Sequence, residues 1–177
     1  MKDRQELGTR ATMKGWRRFA CLIIVIADAG LLAWGAVAAL APGYLLGPGN
    51  APILTAEFER FTGASWSQLA PGTASFMTLL FRMYGVYGAA FGLLAVLVAG
   101  TAFRRGEGWA WWALLVGNTI TYPSAMVYDW TVHAIGPFEA TEYVALAAIY
   151  VSLAVTAPFL ENRRAHTLRR WQSQPHA

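Results

Sequence analysis

Three groups of residues in this chain have types and spacings that could do chemistry, and each lies in or beside a long apolar run. Asp28, within VIADAGLL, falls near the middle of the first run. An ionisable group at that depth must be neutralised or paired, so it marks a function by default. The structural alternative is a pair with Arg82 or a hydrogen bond to Asn118 or Tyr122. Arg82 itself opens the second run and is followed within two turns by Tyr84 and Tyr87. Asp129, Glu139 and Glu142 fall at the corresponding ends of later runs, so one layer would hold an arginine and several carboxylates. Such a layer is either an interhelical salt bridge that fixes helix order or an anchor for an anionic or carbonyl-bearing head group. A lone guanidinium inside a bilayer costs ~2.5 to 3.5 kcal/mol, so a neighbouring helix is expected to supply its partner. Asp129-x-x-x-His133 and Glu139-x-x-Glu142 contain metal-binding types but lack paired Glu-x-x-His or two His at i, i+4. Gly136-Pro137 interrupts their register, and a solvated boundary cluster without metal is expected. His133 titrates near neutrality and joins Asp28, Asp129 and Glu142 as a candidate acid or base.

The elements that position these groups are helices in lipid. With 56% hydrophobic and 14% charged residues, the chain is far from the soluble balance of about a quarter charged. Leu79 to Gly100, LLFRMYGVYGAAFGLLAVLVAG, has the ~20-residue length that matches a hydrocarbon core of ~30 Å. Its Gly85, Gly88 and Gly92 lie within two turns, and Gly88-xxx-Gly92 is the spacing that lets another helix backbone approach. Apolar runs predict an all-α, integral membrane four-helix bundle in one domain, with spans at about 19–41, 76–103, 109–128 and 140–160. Pro42 and Gly43 close the first span, Pro123 is expected to kink the third, and Arg104 to Gly108 make a tight turn. Residues 43–75 form an outer cap, where Thr55 before AEFERF and the capping-box spacing Ser65-x-x-Gln68 predict two short helices.

Charge fixes the orientation. Twelve of the 14 basic residues lie in the tails at 1–18 and 161–177 or at Arg104 and Arg105, leaving only Arg60 opposite and Arg82 within the membrane. Both termini are therefore expected in the cytoplasm, which four spans satisfy and three would not. The N-terminal tail reads as partly disordered. Trp16, Trp109, Trp111, Trp112 and Trp130 fall at the predicted boundaries as an aromatic belt. The basic residues sit beside apolar runs, which argues for membrane orientation and against nucleic acid. The single cysteine, Cys21, excludes an intrachain disulfide, and no span carries a central histidine for haem or chlorophyll. No cofactor is expected.

In size, four-span layout, the Arg82-x-Tyr84-Gly85 motif and the FTGASW at Phe61 to Trp66 before it, the chain resembles small four-helix bacterial membrane proteins of the DoxX-like and related uncharacterised families. The resemblance covers about residues 19–160 and implies a helical bundle that is an accessory subunit or of unknown activity, with no catalytic residues to carry over. Twelve arginines against two lysines also point to a GC-rich bacterial genome. The leading expectation is a non-catalytic protein of the bacterial cytoplasmic membrane. It would pack in a homo-oligomer or membrane complex, or hold a lipid, quinone or isoprenoid through Arg82, Tyr84, Tyr87, Asn118, Tyr122, Asp129, Glu139 and Glu142. The alternatives are a membrane-embedded enzyme acting on a lipid or isoprenoid through Asp28, Asp129 or Glu142, and an oligomeric transporter or channel.

Overall fold

Long runs of Leu, Ala and Val with few turn residues favour helices, and helices are what form. The computed structural model describes residues 2–47, 53–133 and 137–157, and no strand occurs among them. The helices are α1 (Lys2–Leu40), α2 (Ile53–Thr62), α3 (Pro71–Val98), α4 (Gly108–Thr131) and α5 (Pro137–Thr156). Short 3-10 turns at Pro42–Tyr44 and Trp66–Gln68 and a π-helical turn at Ala99–Phe103 join them. The second and third apolar runs thus start and end a few residues beyond the expected limits. Residues 158–177, including the basic tail expected at 161–177, lie outside the described residues.

The stretch expected as a partly disordered tail instead extends α1 back to Lys2. Its Lys, Arg, Gln, Glu and Leu are strong helix formers, and nothing breaks the helix before Pro42. At 39 residues and ~1.5 Å each, α1 is far longer than a bilayer core, so part of it must project. Its apolar part, Gly15–Leu40, is one of three helical segments among the described residues that are long and apolar enough to cross a membrane; the others are Pro71–Phe103 and Glu139–Thr156. The α4 helix has the length but not the apolarity, because Asn118, four Trp, two Tyr and Pro123 dilute its Leu and Val. It runs through Pro123 without interruption.

Helices α1 and α3 pack antiparallel along a seam of small residues. A Cβ on Gly85 would lie 2.6 Å from the Ala39 nitrogen, and one on Gly92 2.6 Å from the Leu32 nitrogen; one on Gly35 would overlap the backbone of Ala89. Gly88, expected in this seam, is at its margin, with Gly35 Cα the nearest atom at 3.9 Å. Further along, the Cys21 thiol donates to the Ala99 carbonyl at the π-helical turn, at 3.2 Å. This register also places Arg82. One turn before Gly85, it lies level with the end of α1 near Leu40 and Pro42.

The opposite face of α1 meets α5; α4 closes against α5 and reaches α3, where the Phe91 ring covers Gly117. Ile24, Leu114, Ile149 and Leu153 fill the centre. Meanwhile Ile26, Leu94, Ile120, Val144 and Val151 are each more than 60% exposed. Apolar side chains covering the outside of a bundle are suited to lipid, not water. At one end, here called the turn end, Gly106 adopts φ 79° and Glu107 accepts from both Arg105 and Trp109, each at 2.6 Å. The other is the cap end.

The cap holds α2 and one 3-10 turn where two short helices were expected. The Ser65 side chain makes no capping bond to the turn. Glu59 does the capping instead, accepting from Ser65 Oγ at 3.1 Å and from the Trp66 amide at 2.8 Å. Thr55 staples α2 to the preceding loop by accepting from the Gly47 amide and donating to its carbonyl, at 3.0 and 3.2 Å.

Candidate functional site

The residues singled out by type and spacing separate into two polar layers, not one. The central layer joins α1 to α4. Asp28 and Asn118 are both completely enclosed. Running in the same direction as α1, α4 brings Asn118 beside the Asp28 carboxyl as its polar neighbour. Yet neither Asp28 oxygen meets a donor in hydrogen-bonding geometry, and Asn118 Oδ1 has no partner either. One of the two Asn118 amide hydrogens goes to the Leu114 carbonyl at 2.9 Å. One turn on, the Tyr122 hydroxyl donates to the Ala27 carbonyl at 3.2 Å, beside Asp28 but not to it. The expected pair between Asp28 and Arg82 does not form.

The second layer lies at the cap end. Asp129 from the last turn of α4 and Glu139 from the first turn of α5 are buried, with Glu142 half-buried a turn further in. Asp129 Oδ2 and Glu142 Oε2 are enclosed without a hydrogen bond. Over them α2 places Glu57, also buried, which sequence reasoning did not single out. Burial pushes the Glu57 carboxyl from its ordinary 4.5 up to about 7, Glu139 and Asp129 add like-charge repulsion, and Arg60 partly offsets both. Arg60 also ties the cap down, donating to the His133 carbonyl at 2.9 Å. His133 contributes that backbone oxygen from a left-handed conformation at φ 55°, and its side chain is exposed. Among the described residues no three of His, Cys, Asp and Glu come close enough to hold a metal ion.

Arg82 belongs to neither layer. It is exposed and makes no hydrogen bond or ion pair among the described residues, contrary to the expected interhelical partner. The physical reason is its level: at the end of α1 it is near the boundary of the apolar zone, where a long guanidinium side chain can reach water. Tyr87 is 68% exposed on the apolar outside; Tyr84 is also more than half exposed and lies in the field of Glu142 and Asp129.

A third feature carried no signal in the sequence. Three hydrogen bonds stitch α4 to α5: Trp111 Nε1 to the Leu153 carbonyl at 2.8 Å, the Tyr150 hydroxyl to Thr119 Oγ1 at 2.9 Å, and Trp130 Nε1 to the Tyr143 hydroxyl at 2.7 Å. Between these stitches two open furrows mark the outside of the pair. One, of about 320 Å³, is lined by Leu115, Val116, Thr119, Ile120 and Tyr150. The other, of about 560 Å³, runs from Pro123 to Trp130, Thr131 and Tyr143 at the cap end. Neither is lined by Asp28, Asp129 or Glu142. No protein-family model, curated protein or solved structure matches the chain, so its function has to be read from this geometry.

Proposed function

We propose that the chain is a four-span protein of the bacterial cytoplasmic membrane that does no chemistry of its own and holds a single-chain lipophilic ligand along α4 and α5. In this reading α4 is the third span: its 24 residues reach ~36 Å, and its low apolarity reflects residues that face the bundle or the interface. Four crossings put both termini and the Arg104–Arg105 turn in the cytoplasm and the cap outside. Arg82, at the outer boundary, meets lipid phosphates.

The furrow ending at Trp130 and Tyr143 is the observation that carries the ligand reading. Its apolar floor accepts an acyl or isoprenoid tail, and its aromatic rim adjoins the carboxylates of the outer layer. That rim favours a neutral or cationic head over an anionic one. The glycine ladder supports a ligand over a subunit, because α1 and α3 consume it within the chain. Enzymatic work by Asp28, Asp129 or Glu142 would require a substrate to meet them, and the furrows pass all three by.

The test is native mass spectrometry of the detergent-purified full chain with an alkylammonium and a fatty acid of equal length. We expect retention of the alkylammonium and its loss in Val127→Trp, which fills the furrow. Equal retention of both probes by the wild type and by Val127→Trp would overturn the reading.

A further inference from the structure

The enclosed carboxyl at Asp28 has no role in ligand holding, and its surroundings are incomplete in a particular way. Both Asp28 oxygens and Asn118 Oδ1 are enclosed at the centre of the bundle without a hydrogen-bond partner. The Tyr122 hydroxyl is committed to the Ala27 carbonyl and one of the two Asn118 amide hydrogens to the Leu114 carbonyl, which leaves the second amide hydrogen beside Asp28. From α3 Gly92 meets the Asp28 backbone carbonyl, and the buried side chains of α5 around this level are Leu146, Ile149, Ser152 and Leu153, of which Ser152 Oγ also lacks a partner. A bare carboxylate here would have one neutral amide beside it and no compensating charge, a costly arrangement in a low dielectric. One added hydrogen resolves it. A carboxylic acid donates its O–H to Asn118 Oδ1 and becomes neutral at the same time.

A route to that position is also present. Tyr122 lies in the field of both Asp28 and Glu142. Glu142, with its enclosed and unpartnered Oε2, in turn lies in the field of Asp129, Glu139 and Glu57. Tyr128 of α4 and Tyr84 of α3 border the same carboxylates. Protonatable groups therefore descend from the cap to mid-bundle in the order Glu57, Glu142, Tyr122, Asp28. Toward the turn end the core below Asp28 is Ile24, Ala95, Ala99 and Phe103, with the Cys21 thiol committed to a carbonyl.

We propose that Asp28 and Asn118 form an intramembrane proton-binding site that fills from the cap side through Glu142 and Tyr122. A proton from water enters at the outer carboxylates, passes by way of Glu142 and the Tyr122 hydroxyl, and comes to rest on an Asp28 oxygen with Asn118 Oδ1 as its acceptor. No bond other than O–H is made or broken. The site uses the four-span reading only for its sidedness and does not depend on the ligand in the furrow.

Infrared difference spectroscopy of the full chain in lipid tests it, with the protein carrying isotope-labelled aspartate. The chain has three aspartates, Asp3, Asp28 and Asp129, so Asp28→Asn and Asp129→Asn assign the bands. We expect a protonated-carboxyl C=O band that disappears in Asp28→Asn and shifts on transfer to D2O. In Glu142→Gln and in Tyr122→Phe the shift should slow by about tenfold, the loss expected for one hydrogen-bonded step. The wild-type isotope shift keeps the test valid if Asp28→Asn fails to fold. Absence of the band overturns the site. A band that never exchanges, or exchanges as fast in both variants, overturns the route.

Discussion

The α1–α3 seam and the α4–α5 seam join antiparallel helices of the same bundle by opposite means. Along the first, Gly35, Gly85 and Gly92 remove side chains from the contact and backbones meet directly. Along the second, Trp111, Thr119 and Trp130 hold the helices apart by the length of a side chain and bridge the gap with hydrogen bonds. The first leaves no space, whereas the second leaves furrows between its stitches. In lipid, where tails are as apolar as the helices, close van der Waals contact and hydrogen bonding are the main forces that join spans. The comparison shows one chain using each to a different result: a tight strut on one side and an open, furrowed face on the other.

Breaking the strut should have the largest effect. In Gly85→Ala and Gly92→Ala a methyl group must enter space already held by backbone of α1, which cannot rotate away as a side chain could. Each should destabilise the folded chain by about 3 kcal/mol, at the upper end for overpacking. Thermal unfolding of the purified protein in detergent reads this as a clear fall in Tm. A fall no greater than that of an exposed control would mean the two helices are not in this register.

The cap layer gives a smaller, pH-dependent effect. Glu57 is raised from 4.5 to about 7, by burial first and by Glu139 and Asp129 next. Between those values the closed cap holds a proton that the opened cap releases, so its stability falls as pH rises through the window and levels off on either side. Amide hydrogen exchange across α2 should therefore quicken, after correction for intrinsic rates, from pH 4.5 to about 7. Glu57→Gln should flatten that dependence and slow exchange above the window. A wild-type cap indifferent to pH would place Glu57 in water.

The stitched seam should yield less to any one change. Trp111→Phe removes the bond to the Leu153 carbonyl, which still accepts from Thr156 and the Ala157 amide. The cost should be about 1 kcal/mol, and Thr119→Val, which gives up Tyr150, should cost about the same. Chemical denaturation in mixed micelles measures both. Losses as large as those at Gly85 would make the two seams alike.

How much of this the sequence exposes depends on whether a feature is local. Helical runs and the Arg104 to Gly108 turn are local, since apolar length and glycine placement decide them. The depth of Arg82 is not: its own run places it inside a span, and only the register of α3 against the end of α1 brings it to the boundary. Asp28 was readable as an enclosed acid, but its neighbour was one of several candidates until α4 was set in place. Glu57 had no signal at all beyond a short amphipathic stretch, because what makes it unusual is carried by Asp129 and Glu139, over 70 residues away in the chain.

Gly88 makes the finest cut in the comparison. By spacing, Gly88 and Gly92 form the expected close-contact pair; in the fold Gly92 works with Gly85, seven residues away and two turns along the same face. A Cβ on Gly88 would meet nothing nearer than Gly35 Cα at 3.9 Å, an ordinary van der Waals distance. With no overlap to oppose it, helix propensity decides the sign, and alanine is favoured over glycine inside a helix by about 0.5 to 1 kcal/mol. Gly88→Ala should therefore leave Tm unchanged or raise it slightly, while Gly85→Ala, one turn away in the same helix, lowers it steeply. Equal falls would show that α1 crosses α3 on the Gly88 face, and the seam, the level of Arg82 and the partner of Asp28 would all have to rotate with it.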